Sequence, residues 1–304
     1  MTRPSRISTF AITRSVGLAS VGDIDPRMYA QANTASGGDL YSRVGLTTDE
    51  IARARNGQPA VRLLPNAVDS EVAVAGAIRI RGDIERLVIW LRDMEQLRRA
   101  LGTDVVGAID SPAQPANFSA LAAADSTLPN LAEYAKAYQT SGDRGIGPLR
   151  DQRNPDAIGT AFRDMLRGAK SVWQLAYDFA TYLEEFPSNR PAGVEDRFYW
   201  TRETAVRKPI ATLHHVVMQR LPDRSLRFAD KQFYASRDID AALLIGQATP
   251  LADGKSFDLV ISVRARVPQA GSLAGRVMRD RIGKEISETF TVYLDWIQRS
   301  FALG

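Results

Sequence analysis

The chain has no cysteine and only two histidines, His214 and His215, among its 304 residues. The first absence rules out disulfides, thiolate catalysis and thiolate metal sites. The second leaves a metal little but carboxylates, and no HExxH or similar helical spacing is present. Neither a metal nor a cofactor is expected. Lysine is scarce too, at positions 136, 170, 208, 231, 255 and 284, so arginine carries most of a formal net charge of +4. Acids interleave with the arginines, and the densest basic group is Arg276, Arg279, Arg281 and Lys284. A nucleic-acid surface concentrates its charge on one stripe or run, so no nucleic-acid partner is expected. A transient contact with an anionic membrane is the partner that this basic group would suit. No apolar run approaches the roughly 20 residues of a membrane span. Neither a phosphate-binding loop nor a G-x-S-x-G turn occurs, and RGIGPL, residues 144–149, reads as a loop.

Hydrophobic residues make up 44% and charged residues 24%, the composition of a globular protein. The organisation expected is a flexible segment over residues 1–46 and a single domain over 47–304 with a helical insertion near 127–187. Arg3 and Arg6 open an apolar stretch that Arg14 interrupts, and Tyr29-Ala30-Gln31-Ala32 carries an A-x-A pattern. Asp23 and Asp25 make this a poor leader. Removal near Ala32 would mean the periplasm; without it the compartment is the cytoplasm.

Hydrophobic periodicity sets the elements. Thr47 and Glu50 form a capping box for a short helix that Gly57 ends. Glu71 to Arg81 alternates with period two, with Gly76 on the apolar side, which implies one buried face, one partly wet face and a close backbone approach. Ile84, Leu87, Val88, Leu91, Met94, Leu97 and Leu101 then recur at helical spacing between Asp83 as cap and Gly102 as stop. Trp90 lies off that stripe. Val105 to Ile109 reads as a strand, and helical stripes fill the insertion until Pro187. Lys208 to Arg220, Leu226 to Ser236, Ala241 to Ala248 and Phe257 to Val267 are strands joined by short turns, an antiparallel meander. Leu273 to Phe301 is one long helix whose apolar face includes Val277, Ile282, Ile286, Phe290, Tyr293 and Ile297. The fold class is α+β: a curved antiparallel sheet gripping a long C-terminal helix, with an inserted helical block.

The run EVAVAGAIRIRGDIERLVIWLRDMEQL resembles the opening strand and helix of START-like, helix-grip (SRPBCC-type) lipid-binding domains, with Trp90 and Asp93 in the places of a recurring Trp and Asp. The closing run FDLVISVRARVPQAGSLAGRVMRDRIGKEISETFTVYLDWIQ resembles their last strand, small-residue turn and terminal helix. The chain is also similar to a group of uncharacterised bacterial proteins with KPIATLHHV and ADKQFYAS-like strands. The similarity covers about 71–101 and 209–300, and the insertion departs from it. It implies binding or carriage of a lipid, sterol-like or other apolar molecule between sheet and terminal helix. Some members are enzymes, so the fold alone does not settle activity.

Candidates for lining such a cavity are Trp90, Trp173, Tyr177, Tyr199, Trp200, His214, Phe233, Phe257, Ile261, Met278, Ile282 and Ile286. No residue is assigned a catalytic role. His214 and His215, adjacent in a strand, point to opposite faces and cannot share a metal. An enzyme of cyclase or hydrolase type using either histidine is the first alternative. A ligand-free interaction module, its groove filled by the helical block, is the second. Lys231 and Arg264 are expected on the outer, wetted face of the sheet. Oligomeric state is open.

Overall fold

The computed structural model describes residues 39–65, 70–103, 105–125, 128–173, 177–204, 209–236, 239–266 and 273–302. The leader-like stretch, Ala32 included, lies outside them. In chain order the elements are α1 (Leu40–Arg43), α2 (Thr48–Arg55), β1 (Ala60–Leu64), β2 (Glu71–Arg81), α3 (Ile84–Arg92), α4 (Met94–Ala100), β3 (Val105–Ile109), α5 (Ser119–Ala124), α6 (Leu131–Arg150), α7 (Ala157–Trp173) and α8 (Tyr177–Glu185). The strands β4 (Val194–Thr204), β5 (Pro209–Arg220), β6 (Leu226–Ala235), β7 (Ala241–Pro250) and β8 (Ser256–Arg266) follow, then α9 (Leu273–Ala302).

Eight strands form one open antiparallel sheet in the order β1-β2-β8-β7-β6-β5-β4-β3. The meander β4 to β8 runs in sequence order, and β2 closes on β8 over its whole length, from Glu71 opposite Arg266 to Arg81 opposite Ser256. One face carries α9 along β2 and β1, with α3 and α4 beside it. The other face carries α6, α7 and α8. The sheet is therefore the middle of three layers, and the expected wet face of β2 is buried: Ala73, Ala75 and Ala77 are as inaccessible as Val72, Val74 and Ile78. Small alanines on that side leave room for the elements that cover it.

Gly76 shows how close α9 comes. A Cβ there would lie 3.0 Å from Leu294 and 3.1 Å from Phe290. The buried stripe of α9 is Ile282, Ile286, Phe290, Leu294, Ile297 and Phe301. Val277, read as part of the apolar face, is 63% exposed. The helix anticipated over 84–101 is two: Asp93 leaves the helical region at φ −115°, ψ 71°, ends α3, and caps α4 through Gln96 N–H at 2.9 Å. RGIGPL is not a loop but the last part of α6, which kinks at Gly142. Glycine is needed there, because a Cβ would fall 2.0 Å from the Phe186 carbonyl oxygen at a φ of +58°.

Candidate functional site

Because strand neighbours point to opposite faces, His214 and His215 begin two separate buried networks. A register shift between Leu213 and His214, where β5 meets β6, sets Gln232 opposite His214 and Lys231 opposite His215. Asp230 then shares the α9 face with His214, and Lys231 shares the other face with His215.

On the α9 face, Arg98 Nη2 donates to Tyr199 Oη at 2.6 Å and to Asp230 Oδ2 at 3.3 Å. Tyr199 donates to the same Asp230 oxygen at 2.5 Å. His214 Nδ1 meets Asp230 Oδ1 at 3.0 Å, and its Nε2 meets Thr212 Oγ1 at 2.8 Å. Burial lowers the His214 pKa against the pull of Asp230, so the ring is neutral. The bonds then assign its proton to Nδ1, donated to the carboxylate, with Nε2 accepting from Thr212. Burial alone would raise the Asp230 pKa, but His214 and the Arg98 guanidinium outweigh it and hold the carboxyl below its ordinary range. The cluster is thus one guanidinium and one carboxylate, balanced in charge and mostly shielded from bulk water.

Beside it lies a cavity of about 60 Å³ between the sheet, α3–α4 and α9. Leu97, Phe228, Leu259, Ile261, Phe290 and Ile297 supply apolar wall, and Arg98 and Asp230 a polar corner. That volume holds about two waters, not a lipid. The Arg98 Nε is buried with no partner among the described residues. Trp90 closes the outer side, packed on Trp296 at 5.4 Å and on Phe301 at 4.9 Å between ring centroids.

On the other face, His215 is 1% exposed and joins Asp196 Oδ1 at 2.8 Å through Nε2 and Tyr138 Oη at 3.0 Å through Nδ1. Burial lowers its pKa too, so Nε2–H donates and Nδ1 accepts. Asp196 also accepts from Tyr182 at 2.9 Å. Burial opposes ionisation of Asp196, but His215, Tyr182 and Arg190 keep its pKa low. Lys231, 2% exposed, donates to Asp143 Oδ2 at 2.8 Å and sits 4.2 Å from the Phe162 ring centroid. Arg264 pairs with Glu71. Neither cation is on a wetted face as anticipated: α6 and α7 cover Lys231, α7 covers Arg264 at Gly168, and each is neutralised by its own carboxylate.

Of the twelve candidate lining residues, Trp90, Tyr199, His214, Phe257, Ile261, Ile282 and Ile286 lie on the α9 face, and Trp90 and Ile261 touch the cavity. Trp173, Trp200 and Phe233 lie on the opposite face under the helical block. Their strand parity, or membership of α7, decides this. The Tyr177 and Met278 side chains lie outside the described ones. Sequence reading does not reach Arg98 and Asp230, because a charge on a helix stripe or in a strand looks like a solvated one. The out-of-place Arg98, four residues after Met94 on the buried side, is the available signal.

No family model matches the chain, and no curated protein does. Among solved structures it is similar to a STAR-related lipid transfer protein (fragment 25–204) from Xanthomonas axonopodis, at 8% identity and a TM-score of 0.39, over 78% of this chain and 93% of that one. It is also similar to TTHA0849 from Thermus thermophilus, at 10% identity and a TM-score of 0.34, over 75% of this chain and 98% of that one. The open antiparallel sheet with a long C-terminal helix laid against it is the helix-grip arrangement.

Proposed function

We propose that the protein binds an apolar small molecule between the sheet and α9, with the molecule's polar end at Arg98 and Asp230. The observation that carries this reading is the apolar cavity with a single charged corner, where the buried Arg98 Nε has a donor to spare. At about 60 Å³ the site is in a closed state, and a ligand of lipid size must part its walls. The break at Asp93 between α3 and α4 is a natural place for that movement. Burial of apolar surface, at roughly 25 cal/mol per Å², supplies the affinity. Carriage between membranes would follow if the molecule is also released there.

The enzyme alternative is less well supported, because both nitrogens of both histidines are already engaged. Against the interaction module, the helical block packs on the far face and not in the α9 groove; in its favour, the cavity of about 60 Å³ is too small for a lipid as it stands.

The test is native mass spectrometry after incubation with a total bacterial lipid extract, followed by solvent extraction. An adduct of a few hundred daltons, abolished by Ile261→Phe, is expected. A bare protein mass, or an adduct that the Ile261→Phe variant keeps, overturns the reading.

A further inference from the structure

The charged corner of the α9 cavity has its acceptors nearly filled and its donors not. Asp230 Oδ2 accepts from Tyr199 at 2.5 Å and from Arg98 Nη2 at 3.3 Å, and Oδ1 accepts from His214 at 3.0 Å. A carboxylate offers about four lone-pair sites, so roughly one is left. His214 offers none, because its Nδ1–H goes to Asp230 and its Nε2 takes the Thr212 hydroxyl at 2.8 Å.

On the donor side, Arg98 gives Nη2 to Tyr199 and Asp230, while its Nε is buried and unpartnered. Tyr293 of α9 lines the same cavity. Burial raises the pKa of its hydroxyl, which lies within electrostatic reach of both Arg98 and Asp230. Among the described residues none takes that proton in a hydrogen bond. Two donors thus border one apolar space with almost nothing to accept them.

The charge of the corner is balanced as well. Arg98 and Asp230 cancel, and His214, Tyr199 and Tyr293 are neutral. A carboxylate brought here would add a second negative charge beside Asp230, with the guanidinium already shared. Glu203 also acts on Arg98, which disfavours a further anion. An ammonium would be repelled by Arg98 and would find a single lone pair. Burying either charge without a counter-charge is costly.

We infer that the molecule held under α9 is uncharged and presents a carbonyl oxygen, as a ketone or an ester does, to Arg98 Nε–H and Tyr293 Oη–H. This rests on the binding site proposed above. A carbonyl oxygen has a lone pair for each donor and no hydrogen of its own to place. An alcohol accepts from the same donors but must bring its hydrogen to the last lone pair of Asp230.

The test compares probes of one chain length on the full chain at about pH 8, where a free carboxylic acid is ionised. They are palmitic acid, the ketone in which methyl replaces its hydroxyl, the alcohol obtained by reducing that ketone, and the matching alkane. Dissociation constants are read from native mass spectra. The ketone should bind at least about tenfold tighter than the acid or the alkane, the equivalent of roughly one net hydrogen bond or more, and tighter than the alcohol. Tyr293→Phe should weaken the ketone by about fivefold and leave the alkane unchanged, a split that a merely structural role would not produce. Asp230→Asn leaves the guanidinium uncompensated and should turn the preference to the acid. An acid or alkane that binds as tightly as the ketone, an alcohol that binds more tightly, or a Tyr293→Phe variant that keeps the ketone's affinity overturns the inference and leaves the apolar site in place. So does a folded Asp230→Asn variant that still prefers the ketone. Saturable binding by none of the probes removes the site and the inference together.

Discussion

The two faces of the sheet solve the same problem differently. Under α6 to α8 two buried cations sit against their own carboxylates, Lys231 with Asp143 and Arg264 with Glu71, and a third, Arg227, lies over the Phe179 ring of α8. Under α9 a single guanidinium–carboxylate pair is set at the corner of an apolar cavity, with a donor left over. The first arrangement fixes helices to the sheet. The second leaves an unsatisfied group where a ligand can satisfy it. Their contrast teaches that buried charge marks a site only where it borders empty space.

The contrast can be broken most severely at Lys231. Asp143→Ala leaves that ammonium buried without a carboxylate, held only by the Leu183 carbonyl at 3.3 Å, and should cost about 3–5 kcal/mol in urea unfolding. Replacing both, with Lys231→Met and Asp143→Leu, should recover most of the loss. A smaller recovery would give the pair a role beyond fastening α6.

Acid should act on both faces together. His214 and His215 have folded pKa values lowered by burial, so between those values and about 6.5 the unfolded chain binds more protons. Stability is therefore highest above about pH 6.5 and falls as pH drops below it, by at most about 2.7 kcal/mol per pH unit for two groups. Asp196 and Asp230, whose pKa values are lowered, add a second loss only as pH falls below about 4. Chemical denaturation from pH 8 to pH 4 should show the first decline, and conversion of both histidines to glutamine should flatten it.

Arg98→Met removes the charge partner on the α9 face. His214 and Tyr199 still hold Asp230, so the expected cost is about 2 kcal/mol, less than for Asp143→Ala. The His214 pKa should rise in NMR titration, because the lowering influence of Arg98 is gone. Gly246→Ala sharpens the comparison from the packing side. Its Cβ would fall 2.2 Å from Cζ of Phe228 and drive that ring toward the cavity. Overpacking of this kind costs about 1–3 kcal/mol, and uptake of an apolar ligand should fall with it. Least affected is Val277→Ser on the exposed side of α9, expected within about 0.5 kcal/mol of the parent.

Much of the architecture is legible because it rests on local periodicity. The strands β5 to β8 and the long helix appear in the sequence within two residues of their ends. What is hidden depends on distant covering. The strand β4 reads only as an aromatic cluster, since Phe198 and Trp200 face one layer and Tyr199 the other, which removes the alternation of polar and apolar residues. The outer face of β2 looks wet because Ala73 and Ala75 say nothing about what lies on them. The polar corner of the α9 face joins α4, β4, β5 and β6, and no spacing along the chain records that meeting.

The bond between His214 and His215 has one further consequence. Each ring serves a different layer, yet only backbone separates the two, and the charge on Asp230 reaches His215 through it. The sheet thus works as a thin dielectric with an electrode on each side. Loading one plate, as a ligand at Arg98 would do, changes the potential at the other with no strand displaced.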